Sequence, residues 1–300
     1  REMDALFCDP GRFVTIPALE RGWRQGHKNI YYRDGDQPVM PALSIEEMWE
    51  WLEGRRALVI AHHPNCHSET SRYYAWGPQD WSTHNPKYER LAEICQARGS
   101  FEVDEVGGNV YLGGLGASIQ DALALGLRVG FVGGTDSHRA QPGSTRSSLG
   151  GLDADEIVGG AITGVFAPEL TREALWDALH ARRCYATTAR RILLDVRMGK
   201  RFMGSELRGD DAAAFADSRT LSIRAIGHRD LGRVEVVRNN VTMESFPVSG
   251  DAAEIEYTDD TPLAEVAPAS EASAGLVYYY VRVIQQDGNM AWSSPIWLVD

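Results

Sequence analysis

An α/β domain followed by a small antiparallel β-sandwich is the fold class this sequence predicts, with the boundary at residues 189/190. Three observations lead there. Strand-like and helix-like segments alternate over residues 1–189, which implies βα units with right-handed crossovers and a largely parallel sheet or barrel. A short continuous apolar run at 57–61 reads as a parallel strand covered on both faces, and 127–132 gives another buried strand. Over residues 190–300, strand-like runs succeed one another without helices between them, the texture of a sandwich.

Taken in order, residues 13–19 are apolar and β-branched, and 29–32 form a second strand candidate. Ser44, Ile45, Glu46 and Glu47 form a capping box, in which hydroxyl and carboxylate satisfy free first-turn amides. Behind it Ile45, Met48, Trp49 and Leu52 fall at helical spacing, so one face is buried. Residues 57–61 and 91–95 read as strands. Ser118 caps a short helix through Ala124, and Gly126 suits its left-handed stop. Residues 127–132 give a further strand. The amphipathic helix at 171–183 places Ala174, Leu175, Ala178 and Leu179 on one side.

After the boundary come strands at 192–198, 221–225, 234–237, 254–257 and 277–284. Asn239 with Asn240 and Asp287 with Gly288 are turn signals. Tyr279, Val281 and Val283 share one face of their strand. Residues 210–217 and 267–275 read as exposed loops, and there is no internal repeat.

A net charge of −12 with pI near 5.2 argues against nucleic acid as a partner. It leaves room for a phosphorylated small-molecule substrate, because a metal ion supplies local positive charge. The apolar runs are too short to span a bilayer. Cys8, Cys66, Cys95 and Cys184 have no paired spacing, which points to reduced, mostly buried thiols. The first residues, Arg-Glu-Met-Asp, carry no apolar leader segment, and a cytoplasmic protein is the expectation.

Several metal-ligand types stand where the predicted strands end. Glu20 follows 13–19, His62 and His63 follow 57–61, and Asp136 and His138 follow 127–132 after a sharp Gly-Gly turn. In a parallel α/β barrel these ends converge on the face where active sites form. Mixed imidazole and carboxylate donors suit zinc, manganese or iron. Each residue also has a plainer reading: Asp136 as a turn cap, His138 as a loop histidine, His62 or His63 as hydrogen-bonded structure. His67, Glu69 and Arg72 read as a solvated loop, His84 as surface, and Arg139 and Arg146 as exposed or phosphate-holding. The three tyrosines 278–280 read as sandwich packing, and the Gly-Gly-Leu-Gly run from Gly113 as a loop.

These residues resemble the PHP (polymerase and histidinol phosphatase) family of metal-dependent phosphoesterases. The segment ending Pro-Ala-Leu-Glu20 is similar to the one that ends in the family's bridging glutamate. The segment from Gly26 and His27 to Tyr31 is similar to the next, which supplies a histidine ligand. Ala61, His62, His63 and Pro64 resemble the Ala-His-Pro strand end, with His62 matching by strand register and His63 by its place before proline. Gly134, Thr135, Asp136, Ser137 and His138 resemble the closing Ser-Asp-x-His. Closer still is the likeness to an uncharacterised group of large bacterial proteins with a PHP-like barrel. It extends through the Leu-Ala-Glu-Ile run from Leu91, through 182–188, and through 279–288 with 292–297.

The resemblance implies a distorted TIM-like (β/α)7 barrel bearing a di- or trinuclear metal site, followed by the sandwich. It implies Glu20, His27, His62, Asp136 and His138 as metal ligands, with Glu20, His62 and Asp136 carrying catalysis through metal-activated water. His63, Glu93, Glu102 and Arg139 become ligand-supporting or substrate-side positions. The family's opening His-x-His strand and Asp-His pair do not precede Glu20, where only nineteen residues stand. An incomplete barrel, its C-terminal portion, is therefore expected, from a protein that is a hydrolase at full length. Two other readings stand beside it: a catalytically incomplete binding or scaffold module, and a metal hydrolase acting on an amide or sulfate ester.

Overall fold

The computed structural model describes residues 2–41, 43–66, 77–104, 116–136 and 160–299. Among them strands dominate. A six-stranded sheet holds β1 (Ala18–Trp23), β2 (Gly26–Tyr32), β3 (Ala57–His62), β4 (Glu89–Gln96), β5 (Gly99–Ser100) and β6 (Gly130–Gly133). Next come β7 (Ile162–Val165), β8 (Cys184–Thr187), β9 (Leu193–Met198), β10 (Arg201–Phe202), β11 (Glu206–Arg208) and β12 (Arg219–Ile226). The last are β13 (Leu231–Arg238), β14 (Val241–Pro247), β15 (Ala252–Asp259), β16 (Leu276–Gln285), β17 (Met290–Ser293) and β18 (Ile296–Val299).

The described α-helices are short: α1 (Glu2–Phe7), α2 (Ile45–Trp51), α3 (Ile119–Ala124), α4 (Arg172–His180) and α5 (Asp210–Ala213). Local sequence explains their ends. Ser44 and Glu47 close the expected capping box on α2, Ser118 and Asp121 do the same on α3, and the Thr171 hydroxyl accepts from the Ala174 amide on α4. Among the described residues, no helix is long and apolar enough to cross a membrane.

The expected TIM-like (β/α)7 barrel is not what forms. The described strands make three sheets and no closed barrel. In the six-stranded sheet only β3, β4 and β6 are mutually parallel; β1 and β2 form an antiparallel hairpin that continues the sheet from β3. β7 and β8 do not extend the parallel sheet. They pair antiparallel with each other, and β8 joins β17, so an eight-stranded sheet runs across residues 189/190.

The physical reason lies in what covers the apolar runs. A strand buried on both faces is equally apolar whether helices or another sheet cover it. Here one face of the six-stranded sheet (Ala61, Ala92, Ile94, Phe131) shares a core with Tyr278, Tyr280, Trp292 and Trp297 of the eight-stranded sheet. The other face of β16 presents Val277, Tyr279, Val281 and Val283 to a second core with Leu194, Val196, Leu221 and Ile223 of the sheet β10-β9-β12-β15. Three sheets thus stack, with β16 buried on both sides. Asn239 and Asn240, both with positive φ (48° and 65°), make the tight turn from β13 to β14. Residues 210–217 begin with α5, where a loop was expected.

Candidate metal centre

Strand periodicity assembles the site. Side chains two apart share a face, so Leu58, Ile60 and His62 of β3 lie on the face away from the aromatic layer. Leu58 and Ile60 pack there with Leu91, Val132 and Trp176. Register sets the neighbours of His62: His27 is directly opposite on β2, Gly22 is opposite His27 on β1, and Ala61 pairs with Ala92, which brings Glu93 alongside. Glu20 sits two residues before Gly22 on the same face. Asp136 enters from beyond β6, after Gly133 and Gly134.

Glu20 therefore lies in the middle of β1 rather than at the end of a 13–19 strand as the sequence suggested; strand pairing begins only at Ala18. His62 is the last residue of β3. His63 and Asp136 carry positive φ values, 34° and 45°. Non-glycine residues rarely adopt them, and such strain gathers at functional sites.

The geometry is compact. Glu20 Oε1 lies 2.9 Å from His27 Nδ1 and 3.8 Å from His62 Nε2. Asp136 Oδ2 lies 3.6 Å from the same His62 Nε2. On the other side of the ring, His62 Nδ1 is 2.8 Å from Glu93 Oε2, an ion-pair contact rather than an aligned hydrogen bond. The same Glu93 oxygen accepts from the His63 amide at 2.9 Å, which holds the strained turn. Glu20, His62 and His63 each offer a ligand atom, all within 4.8 Å of one another. They form a His/Glu cluster able to hold a metal.

Electrostatics follow from this crowding. Burial disfavours the His62 cation, but Glu93 and Asp136 outweigh it and raise the imidazole to about 10. His63 moves the other way: burial, then His62 and His27, push it well below the ordinary histidine value. The hydrogen bond from His27 lowers Glu20. Burial raises Asp136, yet His62 and Arg98 win and hold it well below the carboxylate range.

The structure brings Glu20, His27, His62, His63, Glu93 and Asp136 together. Glu102 lies elsewhere: its carboxylate accepts from Tyr280 Oη at 2.6 Å and Trp292 Nε1 at 2.8 Å, in the joint between two sheets. His138 and Arg139 lie outside the described residues, as do His67, Glu69, Arg72 and Arg146. His84, read as surface, has a buried side chain with Nδ1 3.1 Å from Glu89.

Two neighbours escaped the sequence reading. Arg98 is buried and pairs with Asp136, and Gln96 donates to the same Asp136 oxygen at 3.1 Å. Gln96 closes strand β4, so the strand-end argument used for His62 pointed to it. Arg98 reaches the site only through the turn after β4, and its spacing carried no signal.

Gly22 has a specific task. A Cβ there would stand 2.5 Å from His27 Nε2, so the absent side chain makes room for the ring that holds Glu20. Gly22→Ala is expected to weaken metal binding about tenfold, the scale seen when a group orienting a ligand is lost. Equilibrium dialysis against manganese, beside a melting curve showing the fold intact, measures it.

A cavity of about 550 Å³ opens beside the cluster, with Glu20, His62, Glu93 and Asp136 among its lining residues. Its size is that of small-molecule sites.

Residues 146–224 match a family described as "Protein of unknown function (DUF3604)". An uncharacterized protein of Chlamydia muridarum is 34% identical over 228 residues, covering 73% of this chain and 36% of its own length. One from Chlamydia trachomatis is 32% identical over 228 residues, and one from Chlamydia pneumoniae 33% over 226, each with the same coverage. The chain thus spans about a third of the length of these curated relatives.

Proposed function

We propose that this cluster binds a divalent ion, of zinc, manganese or iron, and serves the hydrolysis of a phosphoester. One observation carries the reading. His62 Nε2 faces two carboxylate oxygens at 3.6 and 3.8 Å, beyond hydrogen-bond reach. Two bonds of about 2.1 Å to a shared ion span about 3.4–4.2 Å. The donor set, imidazole plus carboxylate, suits such an ion.

Glu20, His62 and Asp136 would hold the metal, with His63 within reach and His27 fixing the Glu20 carboxylate. Once bound, a divalent ion supplies Lewis acidity toward a phosphoryl oxygen and acidifies water. Glu93 orients His62 from behind, as supporting carboxylates do for ligand histidines. Low side-chain exposure of His62, Glu93 and Asp136, 5–7%, keeps bulk water from screening these charges.

The test is metal content and phosphodiesterase activity of the wild type beside His62→Ala and Asp136→Ala. Both variants are expected to lose the metal and at least 100-fold in activity. Unchanged values in both would sink the reading. The ion pair of Arg98 with Asp136 favours a second one, a non-catalytic binding module whose carboxylate is already neutralised. A wild type that takes up no metal at saturating manganese would select it.

A further inference from the structure

We propose that the cavity beside the cluster selects esters whose alcohol part is apolar, an aryl or alkyl group rather than a sugar or nucleoside. The inference rests on the phosphoester reading above and adds the class of substrate. Its ground is the chemistry of the cavity lining. The charged groups Glu20, His62, Glu93 and Asp136 share it with the aliphatic side chains of Ala18, Ile60, Val132, Val165 and Leu179 and with Tyr31, while Asn29, Thr135 and Thr163 are its other polar side chains among the described residues.

These apolar residues come from five elements: β1, β3, β6, β7 and α4. They are not a by-product of one amphipathic strand; separate parts of the chain each turn an aliphatic side chain into the space. Ile60 and Val132 are also anchored in the core with Leu58, Leu91, Trp176 and Cys184, so the wall is rigid. Beyond the charged cluster the described lining holds few polar side chains, Asn29, Tyr31, Thr135 and Thr163, and the Thr163 hydroxyl is committed: it accepts from the Gly133 amide at 3.0 Å and donates to the Gly133 carbonyl at 2.8 Å.

A sugar or nucleoside bound here would meet Asn29, Thr135 and the Tyr31 hydroxyl with a few of its polar groups, and would turn its other hydroxyls or ring nitrogens toward aliphatic carbon, where they lose their water without replacement. An aryl or alkyl group has nothing to lose and gains from leaving water. The hydrolysis balances with water alone: water oxygen bonds to phosphorus, the bond from phosphorus to the alcohol oxygen breaks, and that oxygen leaves with a proton. From a monoester the products are phosphate and a free apolar alcohol or phenol; from a diester they are a phosphate monoester and that alcohol or phenol.

The test compares two non-hydrolysable probes, phenylphosphonate and methylphosphonate, by calorimetric titration of the whole chain with manganese and with EDTA. Phenylphosphonate is expected to bind at least tenfold tighter, and Leu179→Gln to remove most of that preference while leaving methylphosphonate affinity unchanged. Equal affinities would overturn the inference and leave the metal reading standing. The phenyl preference persisting unchanged in EDTA would keep the inference and remove the metal from it. Binding of neither probe, in either state, overturns the inference whatever the metal content.

Discussion

Metal affinity is expected to rise about tenfold per pH unit between pH 6 and 8, with one proton released per ion bound. The cause is His62. Without metal, Glu93 and Asp136 hold its imidazole protonated up to about 10, and a metal takes only the neutral ring. Binding therefore competes with a proton throughout this window. Isothermal titration in buffers of different ionisation enthalpy measures the release; affinity independent of pH would remove His62 from the ligand set.

The metal-free protein behaves oppositely. A folded-state pKa raised from about 6.5 contributes stability that is fully present below the unfolded value and is lost as pH rises through about 10. Asp136, lowered, contributes stability present above its ordinary value and lost only in strong acid. Urea melts of metal-free protein are accordingly expected to weaken from pH 7 toward pH 10, and added manganese to offset that loss increasingly as pH rises.

A second large effect is expected on the opposite face of the same sheet. Lys28 and Glu89 are fully buried, with Lys28 Nζ 2.5 Å from Glu89 Oε1 and 3.3 Å from Gln79 Oε1. His84 binds the other Glu89 oxygen. Burial raises the Glu89 carboxyl, but Lys28 and His84 outweigh it and leave it lowered. Lys28→Met is expected to cost about 3–5 kcal/mol, because it strands a buried carboxylate beside a single imidazole. The double variant Lys28→Met, Glu89→Leu is expected to recover most of that, since two apolar side chains replace a pair whose desolvation nearly cancels its attraction. Urea denaturation of wild type, single and double variants measures both; a single variant as stable as wild type would show that the pair is not desolvated in solution.

Much of the site was legible locally. His62 at the end of an apolar run and Asp136 after a Gly-Gly turn could be read because strand periodicity and glycine turns are properties of a few neighbouring residues. The capping box at Ser44 and the helix cap at Ser118 were legible for the same reason. Glu20 was visible as a candidate but misplaced, because the apolar character of 13–19 does not say where pairing starts. Glu102 and Glu93 look alike in sequence. One faces the cluster and the other takes hydrogen bonds from Tyr280 and Trp292, more than 170 residues away.

The sequence by itself determined which residues alternate, where α2, α3 and α4 start, and that His62 and Asp136 follow buried strands. Only the tertiary structure decided that a sheet of aromatic residues, not a ring of helices, covers the parallel strands. It alone brought Arg98 onto Asp136 and aliphatic side chains from separate elements into the cavity beside the charged cluster. Period and capping are set within a few residues of chain, whereas the partner that buries a face comes from anywhere along it, and one apolar run suits either kind of cover.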